Sequence, residues 1–541
     1  MPVPLPELIL DNARIRTMDP DMPWAASVAV RGRTVLDVSP EVRSPLSGGP
    51  HTRRIDLGGR LVLPGFWDSH FHYYQWAMGR RGVPLNMAQS LDHCLFLLRA
   101  QNQTETPDGW IQGQGFNESD WPENRLPLRQ DLDQACPDRP VLIWRCDLHL
   151  AVANSRALEL ACVGPDTAKN SNGLIELDPR GELTGVLREE AVNCVKSSIP
   201  EPSFVRVLQV MHEAQAGLHA LGLTGIHDVR LAGNISESAL TFRAWQALRQ
   251  ERSLLLRCWT SLPGENRAAA AEIGLRTGLG DEYLRLGHLK YFMDGGMGAR
   301  TAWMLEPYLD TKTTGLCVLS PDEMLREAQA AEEAGLSVMV HAIGDRTNRE
   351  LITLFQKLQE QRLPDAPPLA LEHRIEHVQV IRQEDIRRLA GLNMPVTAQP
   401  PNMILDINMI DQCAGAVGRH AYAFRSILDA GVPLLFSSDC PVCDPTPLAG
   451  IQAAVTRARM DGTPWGGWHP EQKISLDEAL AAYTISPARA YGLGHLHGSV
   501  TPGKFADMIV LDQDIFNVDP SSIADTQVSM TVFDGRIVHQ A

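Results

Sequence analysis

At 541 residues, with 44% hydrophobic and 21% charged residues, the chain has the composition of a globular enzyme larger than one ordinary domain. Its net charge of −16 argues against a nucleic-acid partner, because phosphate binding needs a positive field. No apolar run is long enough to span a bilayer, "MPVPLPELIL" lacks the basic start of a secretory signal, and the ten cysteines are scattered singly apart from Cys440 and Cys443; together these point to a cytoplasmic protein with reduced thiols.

The first 64 residues read as short strands between Asp, Asn and Gly breaks: "ELILDNARIRTMD", "SVAVRGRTVLDV" and "RRIDLGGRLVLP". The same texture returns at the other end in "ADMIVLDQD" and "VSMTVFDGRIVHQ", so residues 1–64 and 496–541 are expected to meet in one small β domain. Between them, over 65–495, short apolar runs alternate with helical stretches. In order they are "LVLPGFWDSHFH", "LTGIHDVR", "LLLRCWTSL", "LRLGHLKYFMDGG", "LSVMVHAIGD", "ALEHRIEHVQV", "MPVTAQPPN" and "VPLLFSSDCPV". Eight strands alternating with helices predict a (β/α)8 TIM barrel, an α/β fold. The gap between the first and second strands is far longer than one crossover helix needs, so about 85–200 is read as an insertion able to cover the barrel mouth.

Barrel enzymes keep their chemistry at the C-terminal ends of their strands. There the sequence places His70 and His72 on strand one, Lys290 on strand four, His341 on strand five, His377 on strand six and Asp439 on strand eight. In a strand, residues i and i+2 share a face, so His70 and His72 can reach one cation while Phe71 points away. Imidazole suits zinc and similar divalent ions, and Asp439 adds an oxygen. Lys290 can join such a site only after losing its proton or becoming a carbamate.

These segments resemble the amidohydrolase superfamily, in its amidohydrolase family 3 branch, which includes N-substituted formamide deformylases. "PGFWDSHFH", "LKYFMDGGMGARTA", "HAIGDRTN", "HRIEHVQ" and "SSDCPV" look like its motifs on strands one, four, five, six and eight. "GFNESDWPE", "HLAVANSRALE" and "GSVTPGKFADMIVLD" match further segments, so the resemblance spans nearly the whole chain. It implies a barrel with an insertion after strand one and a β-sandwich built from both termini. It implies one or two divalent ions, zinc being the expected one. His70, His72 and Asp439 would hold the first ion and His341 and His377 the second, with an N6-carboxylysine at Lys290 between them.

The expected chemistry is hydrolysis of a non-peptide C–N bond in an N-substituted formamide or N-acyl amine by a metal-activated hydroxide, with Asp439 as general base. Competing readings on the same scaffold are hydrolysis of a cyclic amide, carbamate or ester, or deamination; a more distant one is a binding module without catalysis. The partner is then a small-molecule substrate, and a homodimer is compatible with this class.

Five further residues are candidates for substrate contact: His149 reaching down from the insertion, Asp294 and Arg300 after the lysine strand, and the aromatics Tyr73 and Trp121. Each has a plainer reading, as a structural histidine, solvated loop charges or core aromatics. His373, four before His377, would share its face in a regular strand, with Glu376 turned the other way. Asp68 lies one step deeper than His70 and reads as structural. "GSVTPGK" lacks the Ser or Thr and the following helix of a phosphate loop. "HLH" at 495–497 lies outside the barrel strands and reads as surface; "CPVC" at 440–443 has no second pair and reads as loop.

Overall fold

The structure, a computed structural model, describes residues 5–80, 82–104, 109–171, 174–230, 235–362 and 368–541. Its centre is an eight-stranded parallel sheet: β1 (Phe66–Phe71), β2 (Leu223–Asp228), β3 (Arg257–Pro263), β4 (Leu284–Phe292), β5 (Val338–Ala342), β6 (Arg374–His377), β7 (Val396–Ala398) and β8 (Leu434–Phe436). Each strand pairs with the next in chain order. The first and last strands meet through backbone bonds from Asp439 N to His70 O (3.0 Å) and from His72 N to Cys440 O (2.8 Å). Asp68 reinforces that seam, accepting from His70 N (3.1 Å) through one oxygen and from Ser438 N (3.0 Å) and Oγ (2.5 Å) through the other. The result is a TIM barrel.

Local sequence explains the elements. Gly65 precedes β1 because a Cβ there would lie 2.3 Å from Thr224 Oγ1; the first two strands come together only over a glycine. The β4–β5 crossover helix, Pro321–Glu333, starts at a capping box of Ser320 and Glu323 with proline in its first turn. The helix Asp345–Gln361 buries Leu351, Ile352, Phe355 and Leu358, one face at helical spacing, against the barrel wall.

The termini form a sandwich of two sheets. In one, Leu8–Asp11 lies between Ser27–Arg31 and Arg53–Asp56; in the other, Met508–Leu511 pairs antiparallel with Leu61–Pro64. Leu10, Ile15, Val28 and Val30 pack with Met508, Val510 and Val532 between them. The sandwich is tied to the barrel at the start of β3. There the buried Arg257 binds Asp507 through Nε (2.5 Å) and a terminal nitrogen (3.1 Å), and reaches Asp534 at 3.2 Å.

The segment between β1 and the helix Phe204–Ala220 has its own six-stranded mixed sheet, with Val141–Arg145 and Leu150–Ala153 at its middle and the helices Leu91–Asn102 and Arg129–Ala135 packed on it. It is therefore a folded unit with its own core rather than a long loop. The bottom of the barrel is closed by Trp67, Trp259 and Tyr491. His497 stacks on Trp67 with ring centroids 4.8 Å apart and is buried, so the surface reading of "HLH" holds for His495 and is corrected for His497. The ten cysteines are free, and no helix among the described residues is long and apolar enough to cross a membrane.

Removing one partner of a buried ion pair strands the other charge, which costs about 3–5 kcal/mol. Asp507→Asn is therefore expected to bring forward the first urea-unfolding transition by an amount of that order. A loss under about 1 kcal/mol would show that the Arg257 contact does not hold the terminal sandwich to the barrel.

Candidate metal centre

β1 ends at Phe71, and the next residue, His72, caps the helix Tyr73–Gly79. His70 and His72 therefore sit at the strand's C-terminal edge, and the β1–β8 seam carries Asp439 to the same place. Asp439 Oδ1 lies 3.1 Å from His72 Nε2 and 3.5 Å from His70 Nε2. Two donors held at 2.0–2.1 Å by one tetrahedral zinc lie roughly 3.3 Å apart, so these separations suit a shared ion. Both His70 Nε2 and Asp439 Oδ1 are buried without a hydrogen-bond partner, a costly state that a cation would relieve. Among the described residues this trio is the one group of three His, Cys, Asp or Glu side chains arranged to hold a metal. The donor set fits a divalent ion.

The second nitrogens of these rings are held in place. His72 Nδ1 bonds Val229 O at 3.0 Å. His70 Nδ1 makes a short bond to Glu376 Oε2, and the other oxygen of Glu376 accepts from Arg374 Nε. Arg374 in turn donates to Ser69 O (2.9 Å) and the Tyr491 hydroxyl (3.0 Å). All three side chains of this chain are buried. A carboxylate on the far nitrogen of a metal-binding histidine fixes its tautomer and strengthens it as a ligand. Burial, helped by Lys290 and His72, holds His70 neutral, and burial does the same for His341 and His377.

His341 and His377 lie beside the trio, their rings 4.4 Å apart and the His377 ring 4.9 Å from that of His70. His377 Nδ1 bonds Gln399 Oε1 at 3.0 Å and stands 3.8 Å from Asp439 Oδ2; His341 Nε2 stands 3.3 Å from Gly295 O. Lys290 is buried with Nζ 4.6 Å from the Phe292 ring centre. Burial lowers its pKa to about 8, against the pull of Glu376 and Asp439. The structure thus brings all six sequence-predicted metal positions to one end of the barrel, with His70, His72 and Asp439 in closest register.

The pairing of His373 with His377 needs correcting. His377 has φ 71°, a left-handed conformation that breaks the strand's alternation. His373 faces the helical layer, stacking on Phe355 and bonding Glu332, while Arg374 and Glu376 point into the barrel. Asp439 also has a left-handed φ of 57°. Strained backbone at two neighbouring functional positions is a common mark of an active site.

Above the donor set is a partly open cavity, lined by His341, His377 and Asp439, by Cys146, Asp147 and His149 of the insertion, by Gly296–Gly298 and by the helix Pro400–Cys413. His149 is well placed: its ring centre is 5.2 Å from that of His341. Its Nδ1 bonds Glu189 Oε2 at 2.8 Å; burial opposes its charged form, but Glu189 outweighs that and pushes the pKa up to about 9. Glu189 thus favours the protonated form of His149. Gly298 allows the loop after β4 to reach the insertion, since a Cβ there would meet Arg145 at 2.3 Å and Asp147 at 2.6 Å.

None of the other four substrate-contact candidates lines the cavity, although Asp294 and Arg300 brace residues that do. Asp294 accepts from Ile343 N, Gly344 N, Trp303 N and Thr347 Oγ1, tying the loops after β4 and β5 together. Arg300 pairs with Asp310 at 2.6 Å. Trp121 donates to Ala88 O inside the insertion core, and Tyr73 donates to Met211 O against Trp245. Sequence reasoning missed Glu376, Arg374, Glu189 and the cavity face of Pro400–Cys413. Arg374 and Glu376 carried a signal, because two charges at i and i+2 in a barrel strand must share its interior.

Comparison with known proteins agrees with this architecture. The chain is 30% identical over 528 residues to the Arabidopsis thaliana protein LONG AFTER FAR-RED 3, covering 95% of this chain and 89% of that one. It is 28% identical over 549 residues to the N-substituted formamide deformylase of Arthrobacter pascens, covering 99% and 98%. The crystal structure of an uncharacterized metal-dependent hydrolase from Pyrococcus horikoshii superposes with a TM-score of 0.74 at 26% identity, over 95% of this chain and 99% of that one. The sequence profile of the amidohydrolase family matches residues 53–539, and the chain belongs to that family of metal-dependent hydrolases.

Proposed function

We propose that the protein hydrolyses the C–N bond of an N-substituted formamide or related N-acyl amine, giving a carboxylic acid and a free amine. The observation that carries this reading is the unpartnered pair His70 Nε2 and Asp439 Oδ1 beside His72, with Asp439 at the edge of a cavity that His149 also lines. The Arthrobacter relative named for deformylation of N-substituted formamides supports the substrate class.

His70, His72 and Asp439 would hold one zinc or similar ion, and His341 and His377 a second. Lys290 would join them as a carbamate; its amine, kept partly neutral by burial, has the free electron pair that addition to carbon dioxide needs. A bound ion of this kind polarises the substrate carbonyl and lets water attack at neutral pH. Asp439 directs Oδ1 at the histidines, which leaves Oδ2 to take the proton of the attacking water and return it to the leaving nitrogen. His149, held by Glu189, donates a hydrogen bond to the carbonyl oxygen as negative charge develops there. The insertion and the Gly296–Gly298 loop wall part of the site.

Treatment with a strong chelator is expected to abolish formamide hydrolysis, with recovery on adding zinc, and Asp439→Asn should cut kcat by about 10²–10⁴-fold. Full activity in either preparation would rule out the proposed mechanism. His149→Gln is expected to lower kcat by roughly 10²–10³-fold with little change in KM, the mark of a contact made in the transition state. A rise in KM alone would assign His149 to ground-state binding. Glu376→Gln leaves the cavity untouched but weakens the hold on His70. Competition with a chromophoric chelator should show metal affinity falling by about 10–100-fold, and unchanged affinity would mean that Glu376 serves only barrel packing.

A further inference from the structure

The helix Pro400–Cys413, which follows β7, turns Asn402, Leu405, Asp406 and Met409 toward the cavity, at the i, i+3, i+4, i+7 spacing of one helical face. Asp406 is the charged member of that face. Its Oδ2 accepts from the Tyr422 hydroxyl (2.6 Å) and the Gln379 amide (2.8 Å), two neutral donors that fix the carboxylate plane.

The other carboxylates around the cavity are committed. Asp147 binds Arg145 at 2.6 Å, and Arg145 is shared with Glu118 at 2.9 Å. Glu189 binds His149, and Asp439 belongs to the metal donor set. Asp406 alone faces the cavity with no ion-pair partner among the described residues. Burial pushes its pKa up to about 7, while the Tyr422 bond, the charge of Arg145 and the Gln379 bond pull the other way; Arg145 makes no ion pair with Asp406 and is bound to Asp147 and Glu118. A carboxylate in such a place is costly unless an opposite charge meets it.

We propose that Asp406 selects the substrate: the compound hydrolysed is an N-acyl amine that carries a second, positively charged nitrogen, seated against Asp406 while its acyl carbon lies at Asp439. The inference rests on the amide-hydrolysis reading above and names the substrate class within it. Leu405, Met409, Met297 and Val442 supply an apolar wall suited to the methylene stem between the two nitrogens. A neutral alkyl amide leaves Asp406 enclosed without a direct ion-pair partner, since Arg145 is bound to Asp147 and Glu118, so the site discriminates against it.

The test uses the metal-loaded full chain and a series of monoformylated linear diamines of increasing length. Each is compared with the formylamino alcohol and the N-alkylformamide of equal length. For the best chain length, kcat/KM of the diamine derivative should exceed both neutral analogues by roughly tenfold or more. The ratio should collapse in Asp406→Asn and persist in Tyr422→Phe, which keeps the charge and removes one anchor. No preference in the wild type, or the same preference in Asp406→Asn, overturns the proposal.

If no formamide is turned over, the amide reading fails by itself, and calorimetry decides the Asp406 assignment. Free diamines should then bind the wild type more tightly than the matching diols, with the difference lost in Asp406→Asn. Equal binding of diamine and diol rejects it.

Discussion

The hydrogen bond from Asp439 N to His70 O closes the barrel and, in closing it, builds the site. β1 and β8 are the first and last barrel strands, and their side chains meet only if the sheet curls through all eight strands in order. Asp68 shows how much that seam matters. It is a buried carboxylate whose pKa burial raises to about 7, and its hydrogen-bonding capacity is used on residues of the two strands it joins. The geometry of His70, His72 and Asp439 is thus a property of barrel closure rather than of any one loop.

That closure concentrates charge in a low-dielectric space. Arg374, Glu376, His70 and Lys290 are all buried within the barrel. Arg374 is compensated by Glu376, and Glu376 also takes the Nδ1 side of His70. What is left uncompensated is the upper edge, where an imidazole nitrogen and a carboxylate oxygen face each other without a proton donor between them. A divalent cation would resolve that edge, supplying positive charge to the carboxylate and a Lewis acid to the imidazoles. The energetics of the barrel interior and the chemistry at its mouth are therefore one problem.

The sequence made the barrel legible because eight apolar runs alternate with helices, and it made the candidate metal positions legible because His, Lys and Asp stand at or just past the ends of those runs. It misled wherever a strand stopped without a compositional sign. Tyr73 reads as a candidate for substrate contact just past "HFH", yet the helix Tyr73–Gly79 begins there and sends its ring into the helical layer against Trp245. His377 takes a left-handed φ that no residue pattern announces, which inverts the facing expected for His373 and Glu376. His497 looked exposed because it lies outside the barrel strands, but the long-range stacking on Trp67 buries it. Each miss comes from tertiary contacts or from backbone geometry at an element's last residue, where periodicity has no reach.

The distribution of parts around the barrel suggests how one scaffold separates chemistry from selection. The residues fixed by closure sit on β1, β4, β5, β6 and β8, and their supports lie below them in the interior. The residues that would meet the rest of a substrate come from elements that can vary without disturbing that interior: the insertion, with Asp147 and His149, and the outward run of the helix Pro400–Cys413. The insertion has its own core and sheet, so changes at its cavity edge are buffered from the barrel by folded structure. Asp406 is anchored by Gln379 and Tyr422 just after β6 and before the helix Phe424–Asp429, not by the candidate metal ligands themselves. A substitution there can alter which amine is accepted while the closure that holds His70 against Asp439 stays intact.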